Sequence, residues 1–284
     1  MADCAGAHPS MTTNATVAGL FIYPVKSARG IARRSVRVVA TGFEWDRQWM
    51  VIDAQGTFLS QRTHPQLARI VPAITATALT LEAPRLPALT LPLTEGGGER
   101  VAVRVHRDPC VGLDQGREAD EWVSEAVGQP ARLVRVPPHP ERRANPQFAG
   151  TTVAPMGFAD GYPVLLCNQA SLEDLNTRMP EPIPMERFRP NIVLEGLSAW
   201  AEDRIATLAL GELTLRLVKP CTRCTIPSVD QRTGSLSTDP APVLRQFRFS
   251  TALRGVTFGE NAVIVSVTGS SIERGRSCRV TFET

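Results

Sequence analysis

The chain has 284 residues, a formal net charge of +3, and hydrophobic and charged shares of 43% and 21%. This length and composition predict a globular protein of one large or two ordinary domains. The charge is too small, and the basic residues too scattered, to favour a nucleic-acid-binding protein. The apolar run at 17–25 contains Pro24 and falls short of the roughly 20 apolar residues of a spanning helix, so no membrane segment is predicted.

The N-terminus and the cysteines indicate the compartment. Residues 1–16 lack the basic and apolar regions of a signal peptide, and they are predicted to be a disordered tail. Apart from one pair, the cysteines are scattered, unlike those of a small disulfide-stapled secreted domain. They are Cys4, Cys110, Cys167, Cys221, Cys224 and Cys278. A reducing cytoplasm is therefore predicted.

The first half of the chain, residues 17–136, is predicted to be a β-barrel domain. Short alternating stretches separated by turns favour a barrel or a sandwich. They occur at 35–39, 47–53, 57–61, 79–82, 89–91 and 101–105. The turn at 53–56 predicts a hairpin. Near the end of this half, apolar residues at helical spacing from Arg117 to Val127 predict an amphipathic helix that ends at Gly128.

A proline-rich segment at 136–143 marks the predicted junction to a second domain, residues 137–284. In that domain the pattern predicts a buried strand at 163–167, a helix at 171–176 capped by Ser171 or Asn168, and a hairpin at 205–218 that turns at Gly211. Residues 225–229 are predicted to be extended. The predicted fold class is β-rich α+β, with an N-terminal β-barrel domain followed by a β-rich domain with a few helices.

The predicted hairpin leads directly to Cys221 and Cys224, the one close pair of cysteines. Cationic neighbours such as Lys219 and Arg223 lower the pKa of a thiol, and thiolate is a soft metal ligand. Structural zinc and thioredoxin-like chemistry are weaker alternatives, because zinc needs about four ligands and a redox pair should open a helix. Two buried structural cysteines, or one cysteine that acts as a ligand or nucleophile in a basic pocket, remain as the main interpretations.

Candidate anion-binding residues are the second feature. Only two of the 31 basic residues are lysines, Lys26 and Lys219, so 29 are arginines. In an extended turn Arg187 and Arg189 would point the same way, so that two guanidinium groups converge on one anion, and Asn191 would continue that face. A solvated basic turn is the alternative interpretation.

Four motifs follow one another in a distinctive order. They are Tyr23-Pro24-Val25-Lys26-Ser27, then Arg187-Phe188-Arg189-Pro190-Asn191, then Pro220-Cys221-Thr222-Arg223-Cys224, and finally Asp230 with Thr233-Gly234. From about residue 17 the chain therefore resembles the MOSC-domain molybdoenzymes, in which an N-terminal MOSC β-barrel domain precedes a β-barrel MOSC domain. This family includes the mitochondrial amidoxime reducing component and bacterial proteins that detoxify N-hydroxylated bases.

The resemblance implies a molybdenum-cofactor site. Cys224 is implied to be the thiolate ligand to the molybdenum of Mo-molybdopterin, and so the metal ligand and the catalytic residue. The residues implied to line the pterin and its phosphate are Lys26, Ser27, Arg47, Ser171, Arg187, Arg189, Asn191, Thr222 and Arg223. Cys221 matches the family's preceding cysteine and is expected only to pack there.

The implied reaction is the reductive removal of oxygen from amidoximes, hydroxylamines or N-hydroxylated bases. No further cysteine cluster suggests an iron–sulfur domain, so electrons are expected from separate proteins, such as a flavin reductase with a haem or ferredoxin carrier. Without a mitochondrial targeting or membrane segment, a bacterial cytoplasmic enzyme is expected. Because MOSC domains also end the molybdenum-cofactor sulfurases, a cofactor carrier, or a sulfur relay through a Cys224 persulfide, is the alternative function.

Overall fold

The computed structural model describes residues 11–94, 97–266 and 269–283. The strands in these ranges are, in chain order, β1 (Thr12–Ile22), β2 (Ile31–Ala32), β3 (Ser35–Val39), β4 (Gly42–Phe43), β5 (Trp49–Ile52), β6 (Val71–Ile74), β7 (Ala78–Glu82), β8 (Leu89–Pro92), β9 (Arg100–Val105), β10 (Asp108–Asp114), β11 (Arg132–Arg135), β12 (Val164–Asn168), β13 (Ile192–Glu195), β14 (Ile205–Leu210), β15 (Leu213–Thr222), β16 (Phe249–Ser250), β17 (Gly255–Ser266), β18 (Ser271–Glu273) and β19 (Ser277–Phe282).

Helices are few and short in the same ranges. The α-helices are α1 (Arg117–Val127), α2 (Pro146–Ala149), α3 (Gln169–Thr177) and α4 (Ala241–Phe247), and the 3-10 helices are Pro65–Arg69, Met185–Phe188, Ala201–Arg204 and Ile226–Ser228. The predicted β-rich α+β class is confirmed. No helix of the described ranges combines the length and the apolar character that crossing a membrane requires.

Seven strands close into a barrel. Their order is β12-β13-β1-β19-β14-β15-β17, and β17 pairs again with β12, so the ring has no free edge. Each of the seven strands contributes apolar side chains to one buried cluster, among them Leu20, Leu208 and Val280. The barrel interior is therefore a packed core, and a binding site has to lie at its ends or its outer surface.

β1 lies in this barrel although it comes from the N-terminal end of the chain. Residues 12–16 pair with β19, and residues 16–20 pair with β13. The predicted disordered tail is therefore wrong for residues 12–16, because neighbouring strands satisfy their backbone groups; residues 1–10 lie outside the described part. The predicted first domain, 17–136, is also not one unit in space, since its first strand completes the barrel of the second half. The predicted junction at residues 136 and 137 stays a prediction.

The remainder of the first half forms smaller sheets. β5, β11, β10 and β9 form one sheet in that order, and residues 57–58 make isolated bridges to both of its edge strands, so the sheet curves into a partial barrel. β6, β7 and β8 form a second sheet. α1 packs Trp122 and Val123 into a buried cluster shared with both sheets. Its predicted bounds are confirmed, and Gly128 ends it in the left-handed region at φ 75°.

Local sequence signals are confirmed at two further places and wrong at two others. The Asn168 side chain caps α3, and Gly211 turns the β14–β15 hairpin at φ 66°. The turn that carries Arg187 is not extended but is a 3-10 helix, which ends where Arg189 adopts φ 57°. Residues 225–229 also contain a 3-10 helix, at whose start Pro227 fixes a helix-compatible φ.

A carboxyl group is buried in the barrel strand β17. Glu260 of β17 is 3% exposed, and its Oε1 atom has no hydrogen-bond partner in the described chain. Burial, and then the negative charges of Asp203 and Glu202, raise the pKa of Glu260 to about 9. The folded protein therefore binds a proton at neutral pH that an unfolded glutamate releases.

We expect Glu260→Gln to stabilise the protein at pH 8 by on the order of 1–3 kcal/mol. Wild type should lose stability as pH rises from about 4.5 to about 9, because the folded state binds more protons than the unfolded state across that interval. Urea unfolding of the two proteins at pH 4.5, 6 and 8 measures the difference, which should vanish at the lowest pH. The exposed Glu82→Gln is the control. A Glu260→Gln effect that is constant with pH would contradict a protonated Glu260.

Candidate functional site

A cavity of about 400 Å³ opens where the segment after β1 and the segment before β5 meet residues of β15 and β17. Eight of the ten predicted site residues line it, although they come from four separate stretches of the chain: Lys26, Ser27, Arg47, Arg189, Asn191, Thr222, Arg223 and Cys224. The convergence of these eight residues is a structural finding, and their roles toward a cofactor stay predictions.

Lys26 enters the cavity from the segment that follows β1. Its backbone N–H donates to the Trp49 carbonyl at 2.7 Å, which ties the segment to β5. The side chain is 5% exposed, and its ammonium group donates to the Phe158 carbonyl at 2.8 Å and pairs with the Asp160 carboxylate. Burial lowers the pKa of Lys26, and the Asp160 carboxylate opposes that shift. Lys26 is thus a partly desolvated cation in a fixed position.

Arg47 and Arg189 share one aromatic ring. Their guanidinium carbons lie 4.4 Å and 4.2 Å from the centre of the Tyr23 ring, and the Tyr23 hydroxyl donates to the Pro190 carbonyl at 3.1 Å. Arg189 also donates to the Ala28 carbonyl at 2.7 Å. Burial lowers the pKa of Arg189 to about 10, which still leaves it charged at neutral pH.

Asn191 connects these cations to the barrel. Its Oδ1 accepts from Arg47 and from the Leu165 backbone N–H, each at 3.1 Å, and its Nδ2 donates to the Phe21 carbonyl at 3.2 Å. The side chain is 1% exposed and its hydrogen bonds reach β12 and β1. Asn191 therefore positions Arg47 within the cavity wall.

The cysteine pair lies at the end of β15, and its two thiols have different environments. Cys224 is exposed at the cavity, whereas Cys221 is half-buried and its sulfur accepts a hydrogen bond from Arg223 at 3.0 Å. Arg223 also donates to the Phe188 carbonyl at 2.7 Å. The described residues include no group of three or more His, Cys, Asp or Glu side chains that could hold a metal ion. A metal held at Cys224 would take its other ligands from outside these side chains.

Ser171 and Arg187 are the two predicted site residues that do not line the cavity. Ser171 is fully buried, and its hydroxyl donates to Glu202 at 2.7 Å and accepts from the Trp200 backbone N–H at 2.8 Å. The Arg187 side chain donates to the Thr238 carbonyl at 3.1 Å and pairs with Asp230 at 3.5 Å. Both side chains are therefore engaged away from the cavity wall, and their contact with the cofactor stays a prediction.

The helical turn explains why the two arginines separate. Residues two apart share a face in an extended chain, but in a 3-10 helix successive side chains are about a third of a turn apart. Arg187 therefore contacts the Pro227 and Thr238 carbonyls on either side of Asp230, while Arg189 reaches the cavity.

Backbone strain is concentrated at this cavity. Eight described residues other than glycine have positive φ, and four of them line it: Ser27, Arg47, His106 and Arg189. Such conformations cost on the order of 1–3 kcal/mol each and persist only where surrounding contacts enforce them. These four conformations therefore lower the stability of the folded protein, and they direct the side chains into the same cavity.

Five residues that the sequence did not indicate also line the cavity: Phe58, His106, Asp160, Tyr162 and Asn261. His106 occupies the tight turn between β9 and β10, and Asp160 precedes the buried strand β12. A polar residue in a tight turn and a carboxylate just before a buried strand are weak local signals. Their partners lie more than fifty residues away, so neither signal identifies the site by itself.

Comparison with known proteins gives two family matches. Residues 14–130 match the MOSC N-terminal beta barrel domain, and residues 154–279 match the MOSC domain. The cavity is lined from both matched ranges. The residues between the two matches, 131–153, include the predicted junction.

Similar proteins cover most of the chain. Mitochondrial amidoxime-reducing component 1 of Mus musculus is 34% identical over 254 residues, which is 86% of this chain and 75% of that protein. The Homo sapiens component 1 is 34% identical and component 2 is 33% identical, each over 82% of this chain and 72% of the relative. The chain therefore belongs to the family of proteins with an N-terminal MOSC β-barrel domain and a MOSC domain that includes the mitochondrial amidoxime-reducing components.

Proposed function

We propose that this protein is a molybdenum-cofactor-dependent reductase that removes oxygen from N-hydroxylated compounds such as amidoximes, hydroxylamines and N-hydroxylated bases. The observation that carries the proposal is one cavity that combines an exposed thiol, Cys224, with six cations. The names of similar proteins, which are amidoxime-reducing components, support the substrate class.

The residues present fit an anionic cofactor that needs one thiolate. The cations lining the cavity are Lys26, Arg47, Arg62, Arg189, Lys219 and Arg223, and Asp160 is the one carboxylate among the described lining residues. Like charges packed this closely repel one another, so a bound anion would stabilise the folded protein. Cys224 supplies the soft donor that suits molybdenum.

Under this proposal each group has a defined task. The bound cofactor would supply the two-electron oxygen-transfer chemistry at its metal. Lys26, Arg47, Arg189 and Arg223 would hold its negative charges in place. Cys224 would ligate the metal, with Arg223 hydrogen-bonded to the neighbouring Cys221. The apolar and aromatic walls, including Phe58, would exclude water from the substrate.

Electron supply and location are part of the proposal. No group of three or more His, Cys, Asp or Glu side chains in the described ranges could hold a metal ion, which supports electron supply from a separate flavin reductase with a haem or ferredoxin carrier. A bacterial cytoplasmic setting would provide both the reducing environment for free thiols and such carriers.

Metal and pterin analysis of protein purified from cells that make the cofactor is the direct test. We expect near-stoichiometric molybdenum and molybdopterin, and reduction of benzamidoxime with reduced methyl viologen but not with NADH alone. Molybdenum without turnover would favour a carrier or sulfur relay through Cys224. Turnover with NADH alone would contradict the need for a separate electron donor.

A further inference from the structure

Asp160 is the unexpected charge in the cavity. Six cations surround the space, and this side chain is the one carboxylate among the described residues that line it. Its side chain is 69% exposed, so it faces the open space of the cavity. A carboxylate at this position weakens the binding of an anion, so Asp160 suits a ligand other than the anionic cofactor.

The backbone beneath Asp160 is fixed by a buried arginine. The side chain of Arg142 is 5% exposed and donates to the carbonyl oxygens of Gly157 at 3.1 Å, Asp160 at 2.6 Å and Ala159. Its remaining contact is an ion pair with Asp108 at 3.0 Å. The loop that carries Asp160 is therefore preorganised before any ligand binds.

The carboxylate itself is held through one of its two oxygens. Asp160 Oδ1 accepts from the Lys26 ammonium and, at 2.9 Å, from Nε2 of His106. Because a carboxylate only accepts, Nε2 of His106 carries the hydrogen. The other oxygen, Oδ2, takes part in no hydrogen bond within the described chain. Oδ1 is therefore held by two donors, whereas Oδ2 is available to a ligand in the cavity.

Asp160 is ionised at neutral pH and so acts only as an acceptor. Desolvation by the surrounding protein would raise the pKa of Asp160, but the Lys26 ammonium and the His106 ring outweigh it and hold that pKa well below its usual range. The groups that complement a fixed, ionised acceptor are N–H and O–H donors.

We propose that Asp160 Oδ2 accepts a hydrogen bond from an amino N–H of the substrate and so selects N-hydroxylated compounds whose N–O-bearing carbon also carries an amino group. Amidoximes and N-hydroxyguanidines have this N–H, whereas aldoximes do not. The inference rests on the proposed function and specifies its substrate class.

The reaction balance leaves Asp160 unchanged. An amidoxime, R–C(NH2)=N–OH, takes two electrons from the separate electron-transfer protein and two protons from solvent. The N–O bond breaks, one N–H and one O–H bond form, and the products are the amidine R–C(NH2)=NH and water. The amino group contacted by Asp160 keeps its hydrogens throughout, so Asp160 determines orientation and selectivity.

Benzamidoxime and benzaldoxime form a matched pair of ligands, because they differ only by an amino group in place of a hydrogen. Isothermal titration calorimetry on the oxidised holoprotein, without an electron donor, measures both dissociation constants free of turnover. We expect wild type to bind benzamidoxime at least about 10-fold more tightly, the scale of one hydrogen bond to a charged group. In Asp160→Ala that preference should disappear through weaker benzamidoxime binding alone.

Three results would overturn the proposal. The first is equal affinity of wild type for the two ligands, and the second is an equal loss of affinity for both ligands in Asp160→Ala. The third is the same loss of benzamidoxime affinity in Asp108→Asn, which alters the ion pair with Arg142 at a residue that does not line the cavity. Molybdenum and pterin content of each variant is measured alongside. If Asp160→Ala loses its cofactor, Asp160→Asn and the wild-type comparison decide the question.

Failure of this inference is distinguishable from failure of the proposed function. Wild-type turnover of benzamidoxime with reduced methyl viologen tests the function. Turnover without a preference between the two ligands removes only the role of Asp160.

Discussion

Cys224→Ser is expected to lower benzamidoxime turnover by more than about 100-fold and to lower the molybdenum content of the purified protein. Removing a group that hydrogen-bonds to a metal ligand typically lowers metal affinity or activity by about 10- to 100-fold, so removing the ligand itself should lower them further. A serine hydroxyl remains protonated at neutral pH and is a hard donor, whereas the metal calls for a soft thiolate. The exposed position of Cys224 on the cavity wall leaves its sulfur free for this bond.

Cys221→Ser is the matched control, because it makes the same substitution three residues earlier. Its sulfur already accepts a hydrogen bond from Arg223, and a serine oxygen can accept the same bond. We expect most of the turnover and nearly all of the molybdenum to remain. Equal losses of turnover and molybdenum in the two variants would contradict different roles for Cys224 and Cys221. Near-normal molybdenum content in Cys224→Ser would contradict the proposal that Cys224 is the metal ligand.

Arg189→Ala is expected to weaken cofactor retention by about 10- to 100-fold, the scale of one or two hydrogen bonds to a charged group. The guanidinium group is buried, lies against the Tyr23 ring and is fixed by the Ala28 carbonyl, so its position in the cavity wall is defined before the cofactor binds. The molybdenum and pterin content per protein after gel filtration measures how much cofactor the variant retains. Unchanged content would contradict an anion-binding role for Arg189.

Arg248→Ala separates cofactor loss from general destabilisation. Arg248 pairs with Asp203 and lies 4.6 Å from the centre of the Trp200 ring, and it does not line the cavity. Its removal should lower the free energy of unfolding while cofactor content per folded protein stays at the wild-type level. A parallel cofactor loss in Arg248→Ala would show that the Arg189→Ala result reflects stability alone.

Local features of the fold follow from the sequence because their causes lie within a few residues. The apolar spacing in Arg117–Val127 and the glycine after it define α1, and Gly211 defines the β14–β15 turn. The same locality caused the errors. A sequence pattern of three or four residues does not distinguish a strand from a 3-10 helix, and the residues around Arg187 gave no further signal.

The tail prediction failed for a different reason. The small polar residues at 12–16 have no strong strand pattern, and only pairing with β19, more than 260 residues later in the chain, makes them a strand. The same long-range pairing moves β1 from the first half into the barrel of the second.

The sequence by itself determined the chemistry available to this protein: a cysteine pair, two lysines in distinctive blocks, and arginines near an asparagine, in an order that identifies the family. Only the tertiary structure decided which of these groups share a space. Arg47 and Asn191 meet across 144 residues, Arg187 turns away from the cavity, and Asp160 joins it through Lys26 and His106. Side-chain direction depends on such distant contacts, because a residue's own neighbours in sequence fix its conformation but not what it faces.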